Sequence, residues 1–429
     1  MIQYLIPLSA QEATEPSRVG PKAANLAALA RAGLPTPGGA CVTADAYRAQ
    51  LAHLDLEALA RDVFTAEDAQ ARRSALKLRM RLMEDPVAPA IQEPLLAAWR
   101  AVTRNGELPG VVRSSALVED RHGSSFAGQF ESFLGLDNET DFLTAVRACW
   151  AALWAPRALR YMATHALDPA DTAMGLLLQP LVPARAAGGG LSRTAEGGMV
   201  INATAGLGAA IAQGEVAPDR YELDRDSILR ESQVGDREYH QASCEHLPRL
   251  SKRATVVKKL CLTPSQAEEL GQLMLKSEAL MGMPVEIEWA MDDAGIKLLQ
   301  SRPLHVDDGP AAVPDQIWLR QPRLRGQPAG VGWGTGRAVV INCECEISRI
   351  GPGDVLVTKM AGPALGRVLT HVAGVVSELG GSTSHLASLA RERCIPMVLG
   401  VAGATLQIPD GVEVAVDGVG GIVRWMANR

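Results

Sequence analysis

The stretch 371–393, HVAGVVSELGGSTSHLASLARER, changes period at its middle, and that change decides the fold. Val372, Val375 and Val376 belong to a short apolar strand, whereas Leu386, Leu389 and Ala390 recur at helical spacing. Between them Gly380-Gly381-Ser382-Thr383-Ser384-His385 forms a hydroxyl-rich turn, with Thr383 or Ser384 placed to cap the helix. His385 therefore lies at or near a helix N-terminus, where unbonded amides and the helix dipole favour an anion over an imidazolium. The neutral imidazole is also the nucleophilic form. Two readings stay open on these residues alone. Either His385 attacks phosphorus and becomes a phosphoramidate whose oxygens the amides hold, or it caps the helix. A lone histidine without neighbouring ligands argues against a metal site.

Around this unit, short Val/Ile/Gly-rich strands are predicted at 337–342, 354–358, 371–377, 397–401, 412–416 and 421–425, giving a compact α/β domain over 318–429. Upstream, PLHVDDGPAAVPDQ (303–316) carries three prolines and three acidic residues without periodicity. It predicts an interdomain linker, placed at 304–317. Residues 1–303 form the remaining domain, in two subdomains. Its predicted elements are a helix over 22–33 stopped by Gly33, a helical stretch at 140–167, strands within 174–204, and a helix over 263–282 opened by Thr263-Pro264. The fold class expected is multidomain, α/β with α+β.

The chain of 429 residues allows about three folding units at roughly 150 residues each. A hydrophobic fraction of 47% against 21% charged residues is enough for a sizeable core and argues against disorder. No apolar run reaches the roughly 18–20 residues that span a bilayer, so no membrane role is expected. The start, MIQYLIPLSAQEATEPSRVG, has no basic region ahead of a long apolar stretch, so a cytoplasmic location is expected. A net charge of −6 disfavours general nucleic-acid binding. Seven scattered cysteines without CxxC spacing fit a reducing compartment. Cys343 and Cys345 alternate in an apparent strand and are expected to share one face as reduced thiols.

In VEIEWAM (285–291), Glu286, Glu288 and Ala290 fall on one strand face and Val285, Ile287 and Trp289 on the other. Asp292-Asp293-Ala294-Gly295 supplies a turn, and IKLLQSR returns, so that a pivot near Ala294 sets Glu288 opposite Gln300 and Glu286 opposite Arg302. This face either holds Mg²⁺ and phosphate oxygens or is a solvated outer face with an incidental salt bridge. In PGVVRSSALVEDRHGSSFAGQFESFLGL (109–136), Arg113 ends an apolar run and Gly123, Ser124 and Ser125 follow in a loop. Glycine-freed amides and hydroxyls there, with a bidentate Arg113, suit phosphate oxygens. A generic hairpin loop is the competing reading.

With these motifs assembled, the chain resembles the phosphoenolpyruvate-utilising enzyme family, the group of phosphoenolpyruvate synthase, pyruvate phosphate dikinase and rifampicin phosphotransferase. GGSTSHLASLARERCIPMVLGV resembles the phosphohistidine signature of its swivelling domain. VGPKAANLAALARAGLPTPGG, VRSSALVEDRHGSSFAGQFESFLGL, GLGAAIAQGEVAPDRYEL and VEIEWAMDDAGIKLLQSRP resemble successive blocks of its ATP-grasp-like nucleotide-binding domain, in the family's order over nearly the whole chain.

The resemblance implies ATP and Mg²⁺ as cofactors, Lys22 and Arg113 as phosphate-contacting cations, and Glu286 and Glu288 as metal carboxylates. It makes Gln300 and Arg302 the LQxRP block lining the phosphate site, and His385 the phosphorylated histidine. Thr383 matches the threonine that a regulatory kinase modifies in some members. The implied reaction moves the β-phosphoryl of ATP to the histidine, with AMP and phosphate as products. The acceptor is then a small molecule or a separate acceptor-domain protein. The alternatives kept open are a phosphocarrier subunit and an ATP-grasp ligase activating a carboxylate, and a homodimer is compatible with all of them. The family's C-terminal barrel and inserted acceptor domain have no counterpart in these 429 residues, and Cys394 stands where a small residue, commonly glycine, is usual.

Overall fold

The computed structural model describes residues 3–65, 68–119, 130, 132–164, 172–235, 259–304 and 316–427. By compactness the chain divides into two units. One is Met1–Val182 with Lys297–Arg302, and the other is Pro183–Ile296 with Pro303–Arg429. The half of 1–303 that follows Val182 thus clusters with the domain beyond the linker. Among the described residues the protein is a mixed α/β structure with three sheets.

The first unit is built on a five-stranded antiparallel sheet in the order β1-β2-β5-β3-β4. Its strands are Leu5–Pro7, Ala40–Val42, Gly110–Ala116, Ser132–Leu136 and Met174–Pro180, numbered β1 to β5. The central strand β5 carries Leu176, Leu177 and Leu178, all buried, as a two-sided interior strand requires. The helix predicted from 22–33 runs Pro21–Arg31 and stops at Gly33, whose φ of 78° is natural for glycine. Residues Lys297–Arg302 belong here because the Leu298 N–H donates to the Pro35 carbonyl (2.8 Å) and Asn25 Nδ2 donates to the Ser301 carbonyl (3.1 Å).

The second unit holds two sheets. The six-stranded one is ordered β11-β10-β6-β7-β8-β9, from strands Ala186–Leu191, Met199–Ala205, Asp219–Leu223, Leu229–Gln233, Val285–Asp292 and Gly295–Pro303, numbered β6 to β11, residues Lys297–Arg302 of β11 being counted with the first unit. Its apolar face (Val285, Ile287, Trp289, Ile201, Tyr221) is buried. The helix predicted over 263–282 runs Pro264–Met281, with Thr263 and Gln266 closing a capping box at its start, and it packs on that sheet.

The eight-stranded sheet is ordered β12-β19-β18-β14-β15-β16-β17-β13. Strands β12 to β19 are Arg323–Arg325, Gln327–Pro328, Trp333–Ile341, Val355–Thr358, Gly374–Ser377, Met397–Leu399, Glu413–Asp417 and Ile422–Trp425. Strands β14 to β17 pair in parallel, and their continuous Val/Leu/Ile runs are buried on both faces. Every predicted strand of this domain is present within a few residues, and the helix His385–Glu392 follows β16.

Three expectations meet different outcomes. Cys343 and Cys345 are not on a strand: β14 ends at Ile341, and Cys343 caps a 3-10 helix, Glu344–Arg349, that contains Cys345. Alternation over three residues could not separate a strand end from a capped turn. Of the linker 304–317, Gln316 and Ile317 open a short helix, Gln316–Leu319, while 305–315 lie outside the described residues. Finally, no helix among the described residues is long and apolar enough to cross a membrane.

Asp354 anchors the turn before β15. Burial pushes its carboxyl up, but hydrogen bonds from Arg337 (2.9 and 3.1 Å) and the Gly351 N–H (2.8 Å) outweigh that and hold it below the usual range. A depressed carboxyl contributes stability that is present above the unfolded value near ~3.9 and is lost as pH falls through the folded value. Asp354→Asn should therefore unfold at lower denaturant than wild type at pH 7, with the two curves converging as pH drops below about 4. At the C-terminal end of the His385 helix, Cys394 takes φ 53°. Cys394→Gly should stabilise the protein by about 1 kcal/mol in urea unfolding, because glycine carries no Cβ penalty there.

Candidate functional site

The histidine turn is held from below by the polar face of the six-stranded sheet, within the second unit. Cross-strand partners place Glu288 opposite Gly189 and Gly189 opposite Asn202, forming one row across β10, β6 and β7. Asn202 is fully buried, and its Nδ2 donates to Ser382 Oγ (2.9 Å) and Thr383 Oγ1 (3.4 Å). Gly189 makes room: a Cβ there would come 2.6 Å from Thr383 Cβ, closer than real atoms approach. The Gly380 N–H donates to the Val216 carbonyl (3.0 Å), fixing the entry of the turn.

Ser384, not Thr383, caps the helix, accepting from the Ala387 N–H (3.3 Å). His385 is the first helical residue and is half-buried. One turn on, Ser388 Oγ donates to Glu286 at 3.1 and 3.2 Å, and Arg391 Nη2 donates to Glu286 Oε2 at 2.8 Å. Arg391 Nη1 also reaches the Ser382 carbonyl (2.6 Å), so one guanidinium ties the turn, the helix and β10 together. The solvated-face reading of the carboxylate strand is overturned: the side chains of Glu286 and Arg391 are only 7% and 10% exposed. Composition shows a strand's polar face but not what covers it.

In the first unit, Lys22 is the second residue of the helix Pro21–Arg31 and pairs with the fully buried carboxylate of Glu119 at 2.8 Å. The helix starts at Gly20 (φ 80°), where a Cβ would lie 2.1 Å from the Ser115 carbonyl oxygen, and Ser115 Oγ accepts from the Ala23 N–H (3.1 Å). Arg113, on β3, donates to the Leu299 carbonyl (3.1 Å). Gln300 is buried and Arg302 half-buried on the segment so held. Lys22, Arg113, Gln300 and Arg302 thus share one unit, and Glu286, Glu288, Thr383 and His385 share the other. Gly123, Ser124 and Ser125 lie outside the described residues.

Known proteins show corresponding blocks. A family profile described as pyruvate phosphate dikinase, AMP/ATP-binding domain, matches residues 16–317. The chain belongs to this family. A second profile, PEP-utilising enzyme, mobile domain, matches 350–421 and contains His385. The phosphoenolpyruvate synthase of Aeropyrum pernix is 31% identical over 94% of this chain and 56% of its own length, and that of Pyrococcus furiosus 30% over the same shares. The chain therefore spans about half the length of the curated relatives it matches. Among solved structures, aconitase X of Thermococcus kodakaraensis aligns at 20% identity and TM-score 0.21 over 25% of this chain and 99% of that one, too weakly to bear on the fold.

Within this PEP-utilising family chain, the site residues not anticipated from sequence are Glu119, Gly189, Asn202, Ser382, Ser388 and Arg391. Ser384, Ser388 and Arg391 recur at i, i+4 and i+7, a stripe legible in principle once the helix start is fixed. Gly189→Ala should unseat the turn at a cost of about 1–3 kcal/mol of overpacking. Hydrogen exchange at 381–384 is expected to rise while circular dichroism stays unchanged, and unaltered exchange would refute the close contact.

Proposed function

We propose that the protein is an ATP-dependent dikinase-type phosphotransferase that passes the β-phosphoryl of ATP through phospho-His385 to an acceptor, with AMP and phosphate as products. The observation that carries this reading is the seating of His385: the first residue of a Ser384-capped helix, half-exposed, above a carboxylate-bearing strand. The AMP/ATP-binding profile and the phosphoenolpyruvate synthase relatives support the same reading.

In this account the first domain is ATP-grasp-like and the second swivels on the 304–317 linker to the acceptor. Lys22, Arg113, Gln300 and Arg302 bind and orient the triphosphate, with Gly123, Ser124 and Ser125 assigned to ATP binding by the family resemblance, so that charge on the transferring group is met by cations and donors. Lys22 would exchange Glu119 for a phosphate oxygen. The donor set suits a hard cation: β10 offers carboxylate oxygens, and Mg²⁺ needs only one or two of these beside phosphates. Bound there, Mg²⁺ supplies neutralising charge to the phosphate oxygens. The neutral imidazole of His385 attacks the β-phosphorus, the bond from that phosphorus to the AMP oxygen breaks, and AMP leaves with the electron pair. The histidine then carries the β- and γ-phosphoryl groups together; water attacks the γ-phosphorus, the bond from that phosphorus to the bridging β–γ oxygen breaks, and inorganic phosphate leaves the β-phosphoryl on nitrogen. Amides of the first helical turn then face the new phosphoryl oxygens. The phosphohistidine serves a small-molecule acceptor or one held by a separate acceptor-domain protein. Thr383, in contact with Asn202 and at the Gly189 position, is where a modifying phosphate would disturb the seat.

Incubation with Mg²⁺ and β-labelled ATP should place acid-labile label on His385 with release of AMP, while γ-labelled ATP leaves the protein unlabelled. His385→Ala should abolish labelling. ADP as product, or label that survives in His385→Ala, would contradict the reading.

A further inference from the structure

We propose that Cys343 and Cys345 form a redox-active dithiol, a covalent site at which small disulfides of the glutathione class are reduced while the two sulfurs join. The proposal goes beyond the phosphotransfer reading and does not depend on it.

The two thiols meet at the surface. Both are reduced, with Cys343 half-buried and Cys345 exposed. Cys345 Sγ donates to Cys343 Sγ at 2.6 Å, and the Cys345 N–H donates to the same sulfur at 3.3 Å. Cys343 caps the 3-10 helix Glu344–Arg349 and Cys345 is its second residue, so the curvature of the turn sets the sulfurs side by side. A disulfide needs a backbone that already brings its two sulfurs together, and this turn does so. Other groups hold the turn in place. The Asn342 N–H donates to Glu346 Oε2 (2.9 Å), and Arg349 Nη1 donates to the Val340 carbonyl (2.9 Å). Arg349 Nη2 also donates to Asp410 Oδ2 (2.7 Å), whose Oδ1 accepts from the Val340 N–H (2.8 Å). Replacing either sulfur leaves these supports intact.

Other cysteines differ. Cys41 and Cys149 are buried, and burial pushes the Cys41 thiol up to about 12, away from the thiolate form that reacts. Cys394 is exposed, but no hydrogen bond among the described residues brings a second sulfur to it. The reaction has two steps. The exposed Cys345, as thiolate, attacks one sulfur of a disulfide RSSR. That S–S bond breaks, a mixed disulfide forms on Cys345, and RS⁻ leaves and takes up a proton. The thiolate of Cys343 then attacks the Cys345 sulfur and expels the second RS⁻. Two cysteine thiols are oxidised to one disulfide, and RSSR is reduced to two RSH. Exposed disulfides are the readily reversed kind, so reduced glutathione in excess returns the dithiol.

The test uses the full reduced chain, incubated with oxidised glutathione, alkylated at its remaining thiols and read by peptide mass spectrometry. The peptide with Cys343 and Cys345 should lose two hydrogens and carry no glutathione, whereas the Cys394 peptide should keep a glutathione adduct. In Cys343→Ser the adduct on Cys345 should persist about tenfold longer than in wild type or more, because an intramolecular attack outruns an intermolecular one. Excess reduced glutathione should restore both thiols in the wild type. A stable adduct on wild-type Cys345 would overturn the proposal, as would alkylation of both thiols after Cys394 has reacted. Equal adduct lifetimes in wild type and Cys343→Ser would also overturn it, since Cys343 would then not be the resolving thiol.

Discussion

The buried pairing of Glu286 with Arg391 is the constraint on which the second unit depends. Two charges withdrawn from water are tolerated only where each meets the other and further hydrogen-bond partners, and removal of one leaves the other uncompensated. Here the partners are Ser388, the Ser382 carbonyl and the two side chains themselves. Because Arg391 comes from the helix that begins at His385 and Glu286 from a strand more than a hundred residues earlier in the chain, satisfying these charges fixes where the histidine turn sits. The neighbouring contacts agree with that placement: Gly189 leaves the space that Thr383 fills, and Asn202 holds the hydroxyls of Ser382 and Thr383. Polar groups that must find partners specify a geometry more narrowly than apolar packing does.

Much of the architecture was legible because its signals are local. The switch from strand to helix at 371–393 appears as β16 and the His385 helix, and Thr263-Pro264 opens a helix with a full capping box. Alternation in 285–291 put Val285, Ile287 and Trp289 on the buried face. What resisted reading depends on contacts between distant segments. Ser388 and Arg391 sit in a run, SLARER, that looks like an ordinary solvated helix end until β10 is placed beneath it. The same gap made the Glu286 face look solvated. Asn202 carries no periodic signature, and Glu119 lies just past an apolar strand with nothing local to mark it as the partner of Lys22. The Cys343–Cys345 pair was misplaced for the opposite reason, since alternation over three residues is too short to distinguish a strand from a capped turn.

The groups attributed to triphosphate binding and those attributed to the histidine fall into separate compact units, and residues Lys297–Arg302 join the first although they continue the hairpin of the second. One stretch of chain, 285–303, thus carries residues proposed for both roles: Glu286 and Glu288 on one side of the turn, Gln300 and Arg302 on the other. On the proposed mechanism, a histidine that leaves its phosphorylation site would need a seat that is specific without being large. A dry ion pair supported by a few hydroxyls meets that need, because its geometry selects one orientation while its net stability remains modest.

The central claim is that phosphorus becomes bonded to nitrogen at position 385. Phosphorus-31 nuclear magnetic resonance of the intact protein, after exposure to Mg²⁺ and ATP and removal of nucleotide, tests it directly. The account predicts one protein-bound phosphoramidate resonance that disappears on acidification and is absent from His385→Ala. A phosphoester resonance stable to acid, or no protein-bound phosphorus, would contradict it.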